Sequence, residues 1–246
     1  MDAQLALFIL IGFLAQMVDG ALGMAFGVIA SSSLIATGAP PAIASAAVHA
    51  AEIVTTGLSG ASHVWNRNVD RALFIRLVIA GVLGGVTGAY VLTGLPENIV
   101  KPLVTLYLAA MAVLIFARVA GWSLKHWRPP TPVIGASGGF LDAVGGGGWG
   151  PLVASTLIAT GDNPRPSVGS VNLAEFFITV SISVTFLMQL DLANYGRLVM
   201  GLIIGGALAA PLAGYVLRVL PMRLALILVG LVIAALCFYN LISLLR

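Results

Sequence analysis

Charge is what this chain is shortest of. Only 9% of its 246 residues are Asp, Glu, Lys or Arg, against about a quarter in an ordinary soluble domain. That excludes a water-soluble globule, whose surface needs far more polar cover. Cysteine is nearly absent as well. The single Cys237 sits in an apolar run, so no intrachain disulfide forms and no thiolate metal centre is encoded. A basic n-region is missing from Met1-Asp2-Ala3-Gln4, so the first apolar segment is expected to stay in the mature protein rather than be cleaved as a signal peptide. The excess of twelve basic over nine acidic residues is too small for a nucleic-acid partner. It fits loops on the cytoplasmic face of a membrane.

What remains is hydrophobic. Apolar residues make up 59% of the chain and the mean hydropathy is +1.05. The runs are long and continuous, which predicts transmembrane helices. Membrane strands would instead alternate in short segments of about ten residues. Eight segments stand out, at about 5–37, 41–62, 72–94, 98–118, 132–160, 165–188, 195–217 and 221–244. The most polar interval, Trp122–Pro132, contains Lys125, His126, Arg128 and two adjacent prolines. It links two halves of one transmembrane domain, a first repeat over about 5–120 and a second over about 132–244, with the linker at about 121–131.

The halves repeat. Residues 19–52 align without a gap on 142–175, and 13 of the 34 positions are identical. Composition alone does not explain Asp19/Asp142, Thr37-Gly38/Thr160-Gly161, Pro41/Pro164 or Glu52/Glu175. The first segment of each half is interrupted near its middle by an acid and glycines, Asp19-Gly20-Ala21-Leu22-Gly23 and Asp142-Ala143-Val144-Gly145-Gly146-Gly147-Gly148-Trp149. Thirty-three helical residues would measure about 50 Å against a hydrocarbon core of about 30 Å. Each is therefore either a long broken helix crossing once, which makes the repeats parallel, or a re-entrant hairpin, which makes them inverted. Half-segments of about 14 residues are short for a crossing, which favours hairpins and inverted repeats. The charge count separates the models poorly: Lys/Arg divide 8 to 4 for the crossing and 9 to 3 for the hairpin.

Bare backbone at membrane depth survives only where protein buries it or where it lines a wet cavity. A half-helix that starts there points free N–H groups into the site. Gly20, Gly23, Gly146, Gly147, Gly148 and Trp149 are thus expected to offer donors to an anion. Asp19 and Asp142 either cap those half-helices or line the site. An ionised carboxylate there would repel an anion, which points to capping or a protonated form. The six residues Gly145–Gly150 also satisfy G-x-G-x-x-G, but without the strand–turn–helix unit that gives the dinucleotide motif its meaning.

Glu52 and Glu175 lie inside apolar helices, where a charge costs at least about 3 kcal/mol. Such residues face a bundle interior and pair or protonate. His49 and Asn172, each three residues earlier, share the helical face of these acids. One of the two glutamates, together with His49, is expected to carry a coupling proton. The stretch Ser62–Asp70 reads as a cytoplasmic loop anchored by Trp65 and Arg67, in preference to Arg67 as an anion-attracting vestibule residue.

Taken together, the glycine turns, the Leu-Ile-Ala-Thr-Gly-x-x-Pro that follows each, and the run into Ser59-Gly60-Ala61-Ser62-His63 with Asn68-Val69-Asp70 resemble the TauE/SafE sulfite exporter family, most clearly over 13–217. The first copy departs from the commonest pattern with Met24-Ala25-Phe26 in place of glycines, and His49 and Asn172 stand where many members carry Thr or Ser. The resemblance implies a multi-pass carrier of the bacterial inner membrane that moves sulfite, sulfoacetate or another organosulfonate.

The sequence therefore leads to an all-α polytopic secondary transporter working by alternating access. Its substrate is a small anion, held by the glycine turns, His49 and Asn172, with Asp19, Glu52, Asp142 and Glu175 lining the site. Its surroundings are the bilayer and coupling protons. No cofactor and no metal are expected, and a homodimer is one option for assembly. An anion channel, or a carrier for another organic anion, is the alternative. An intramembrane aspartyl protease fails because its Gly-x-Gly-Asp signature is absent: residues 139–142 read Gly-Phe-Leu-Asp.

Overall fold

A computed structural model describes residues 3–22, 24–121, 129–191, 195–219 and 222–244, and every one of these segments is helical or a short connection. The elements run α1 (Ala3–Leu22), α2 (Phe26–Ala36), α3 (Pro41–Trp65), α4 (Arg71–Gly94), α5 (Glu97–Val119), α6 (Thr131–Gly145), a π-helical turn (Gly150–Ala154) continuing into α7 (Ser155–Ala159), α8 (Pro164–Gln189), α9 (Gly196–Val219) and α10 (Met222–Leu244). Among the described residues, α3, α4, α8 and the Glu97–Ala117 part of α5 are long and apolar enough to cross a bilayer. Large apolar side chains such as Leu83, Leu106, Val113, Leu187 and Phe238 are exposed on the outside of the bundle. In water these would be a defect; in lipid they are the solvent-facing surface.

The spacing of the elements follows the sequence repeat. α1 ends 123 residues before α6 ends, α2 ends 123 before α7 ends, and α3 starts 123 before α8 starts. Both ends of α4 and of α5 lie 125 residues before those of α9 and α10. Local chemistry explains the shared boundaries. Pro41 and Pro164 occupy first-turn helix positions, where the missing N–H costs nothing. Gly38 and Gly161 have φ of +95° and +100°, the left-handed exit that ends the preceding helix.

The first segment of each half doubles back on itself. Val153 returns beside Gly138 of α6, and the Trp149 N–H donates to Asp142 Oδ1 at 2.9 Å. In the first half the Phe26 N–H donates to Asp19 Oδ1 at 3.3 Å. The two turns meet in the middle of the molecule, where the backbones of Gly27 and Gly147 are in van der Waals contact.

Packing between the halves is reciprocal. α1 lies along α9 and α6 along α4, with Gly205 against the Ile9 carbonyl and Gly84 against that of Ala136. Small residues let these backbones approach as closely as membrane helices do. α3 and α8 cross antiparallel: Gly57 meets Phe176, Gly60 meets Leu173, and Gly169 meets Asn68. The 66–70 connection is pinned to the start of α8. The Arg165 Nε donates to Asn68 Oδ1 at 2.7 Å, and the Asp70 N–H donates to the Ser170 hydroxyl at 2.9 Å.

Candidate functional site

α3 carries Glu52, Thr55, Thr56, Ser59 and His63 at helical spacing on one face. That face, the end of α1 and the first half of α8 enclose a cavity of about 290 Å³. Its lining is Gln16, Asp19, Phe26, Glu52, Thr55, Thr56, Ser59, His63, Val168, Asn172 and Glu175. Both halves contribute, and the cavity holds both paired glutamates and one of the two aspartates. No Lys or Arg is among these lining residues.

Several carboxyl lone pairs are already engaged. Asp19 accepts the Phe26 N–H, and the Gly27 backbone hydrogen-bonds Glu52, so the first N–H groups of α2 are directed at protein carboxyls. Thr55 and Thr56 both donate to the Glu52 carbonyl, at 3.2 and 2.6 Å. At the outer end, the Asn172 Nδ2 donates to His63 Nε2 at 3.2 Å. A ring nitrogen that accepts carries no proton, so the His63 proton is on Nδ1, and that buried Nδ1 has no protein partner.

The equivalent place in the other half is closed. Asp142 is 2% exposed and His49 is fully buried. His49 Nε2 lies 3.2 Å from Asp142 Oδ2, and His49 Nδ1 lies 2.8 Å from the Ser45 carbonyl. A carbonyl only accepts, so Nδ1 is the donor in the bond to Ser45. His49 is thus turned towards Asp142 and not towards Glu52, because the bond to its own helix fixes the ring. The Trp149 indole N–H reaches the Val171 carbonyl at 3.0 Å, and Trp149 is fully buried.

Three carbonyls in and beside the second turn accept hydrogen bonds from side chains of other helices. Ser45 donates to Ala143 at 2.6 Å, Ser31 to Gly146, and the Tyr107 hydroxyl to Gly147 at 2.9 Å. Gly146, Gly147 and Gly148 have φ of +68°, +141° and +140°. Only glycine tolerates three such residues in a row. In the first half, Ala25 takes the position of Gly148 with φ of +89°, a strained conformation for a residue with a Cβ.

Of the residues expected to hold substrate, Asn172 lines the cavity, while His49, Gly146, Gly147, Gly148 and Trp149 are buried in the closed half. Gly20 lies in the last turn of α1, and Gly23 lies outside the described residues. Asp19, Glu52 and Glu175 line the cavity and Asp142 does not. Sequence reasoning missed Gln16 and His63 in the cavity lining and Tyr107 beside the second turn. Gln16 sits one turn before Asp19, the spacing that could have flagged it. His63 falls in a helix that runs on to Trp65, not in a loop.

Broken paired helices around a polar interior cavity, within a bundle that presents apolar side chains outward, define a polytopic α-helical membrane protein. The sequence matches the model of the family described as Sulfite exporter TauE/SafE over residues 8–240. The chain therefore belongs to the TauE/SafE family, whose members are membrane transporters and not enzymes. It is 40% identical over 237 residues to the Probable membrane transporter protein YtnM of Bacillus subtilis (strain 168), covering 92% of this chain and 79% of that protein. No solved structure matches it.

Proposed function

We propose that the protein is a proton-coupled exporter of a small sulfur-containing anion such as sulfite, sulfoacetate or another organosulfonate, acting by alternating access. The observation that carries this reading is the unequal treatment of equivalent sites. Asp19, Asn172 and Thr56 line an open cavity. Their counterparts 123 residues away, Asp142, His49 and Thr179, are sealed. The Thr179 hydroxyl is buried with no partner, the costly state of a polar group that opening of this half would relieve. One conformation of a two-state carrier has this appearance.

The same geometry favours inverted repeats with re-entrant hairpins. α3 and its counterpart α8 are antiparallel, as a two-fold axis in the membrane plane requires. The sidedness follows from charge. Arg67, Arg71, Arg76, Arg165 and Arg223 lie towards the end where the cavity opens, and Lys101 and Arg197 towards the other. By the positive-inside rule the cavity faces the cytoplasm, the side from which an exporter loads. The bacterial inner membrane is the setting in this reading.

Glu52 is the coupling group in this account. It stands at the junction of the two hairpin turns, with Gly27 against its Oε1. An anion cannot approach ionised Glu52, Asp19 and Glu175 without a large repulsive cost, so protons or another positive group must accompany it. Flux in proteoliposomes tests the reading. Export of the anion should be driven by a pH gradient and should saturate. Conductance that neither saturates nor responds to the gradient would replace the carrier with a channel.

A further inference from the structure

The cavity is asymmetric in hydrogen-bonding character. Its floor and walls offer acceptors: Asp19, Glu52, Glu175 and the Oε1 of Gln16. Gln16 is 6% exposed, and its Oε1 is buried with no donor. Among the described residues no protein donor reaches the Glu175 carboxyl either. The outer end, one helical turn from Glu175, offers the unpartnered His63 Nδ1–H, with the Ser59 hydroxyl on the same wall. Three carboxyls and an unsatisfied amide oxygen call for a ligand with several N–H donors.

From this lining we infer that the transported anion also bears a protonated amino group. The substrate class is then a small zwitterionic amino-sulfonate or amino-sulfinate. Its ammonium sits among Glu175, Glu52 and Gln16, and its oxyanion takes the His63 Nδ1–H. Asn172, which holds His63, lies three residues from Glu175 on α8, a rise of about 4.5 Å, the reach of a two- or three-carbon backbone. A zwitterion enters with no net charge, which lowers the cost of moving it to membrane depth. The inference rests on the reading of this cavity as the transport site.

The test is the thermal stability of the purified full-length chain with three probes of matched size: 2-aminoethanesulfonate, ethanesulfonate and ethanolamine. A ligand that binds the native state raises its apparent stability. The amino-sulfonate should bind at least roughly tenfold tighter than ethanesulfonate. Glu175→Gln should bring the two within about twofold of each other, and His63→Phe should weaken both together. Equal shifts for ethanesulfonate and the amino-sulfonate in the unaltered protein would overturn the inference while leaving the anion reading intact. A shift with ethanolamine alone would overturn the anion reading. No shift with any probe would count against both. The comparison in the unaltered protein decides the matter even if a variant fails to fold.

Discussion

Ala25 and Gly148 show most plainly how single residues shape this molecule. They are equivalent by the repeat, and both have positive φ, but only one is glycine. Releasing an L-residue from the left-handed region gains about 1–2 kcal/mol, and the extra backbone freedom of glycine costs about 0.5–1 kcal/mol. Relief wins, so Ala25→Gly should raise stability by about 0.5–1 kcal/mol, read as a gain of roughly 2–3 °C in Tm. A lower Tm would show that Ala25 is held by contacts that outweigh its strain. Glu52→Gln removes the proposed proton carrier but keeps its shape and its contact with Gly27. The variant should fold and should lose the dependence of export on the pH gradient. Unchanged pH dependence would remove Glu52 from the coupling step.

At the scale of the elements, the meeting of the two hairpin turns is the most constrained contact. A methyl on Gly147 would enter the backbone of Gly27 while holding φ at 141°. Gly147→Ala should therefore cost about 3 kcal/mol or more and lower the Tm by roughly 6 °C or more. A neutral result would mean that the turns separate without penalty. This contact also marks how far the sequence could be read. The acid, the glycines and the Thr-Gly-x-x-Pro exits are local signals, and they located α1, α2, α3 and their counterparts to within a few residues. Which backbone meets which is not local. Tyr107 reaches Gly147 from α5 across 40 residues, and His63 reaches Asn172 across 109. His63 was mistaken for a loop residue because a helix leaving the hydrocarbon turns polar at its end, just as a loop does. His49 follows the same lesson: spacing placed it with Glu52, but a bond to its own helix and a partner from the other half turned it to Asp142.

At the scale of the whole molecule, residues of one half line a polar cavity while their counterparts 123 residues away are buried. The repeat was legible because both copies keep the same exits and acids. The asymmetry was not, because it arises from how the closed half packs around Trp149, His49 and Phe186. The positions matching Ser59 and His63 are Ile182 and Phe186, both fully buried, so the closed half presents apolar walls where the open half is polar.

The central claim is that this cavity is the transport site and opens to the cytoplasm. Its most direct measurement is thiol labelling of Ser59→Cys in a Cys237→Ser background, in which no other cysteine remains. A membrane-impermeant maleimide should react in inside-out vesicles, should fail to react from the opposite face, and should be slowed by the transported anion. Labelling only from the opposite face, or labelling that the anion leaves unchanged, would contradict the account.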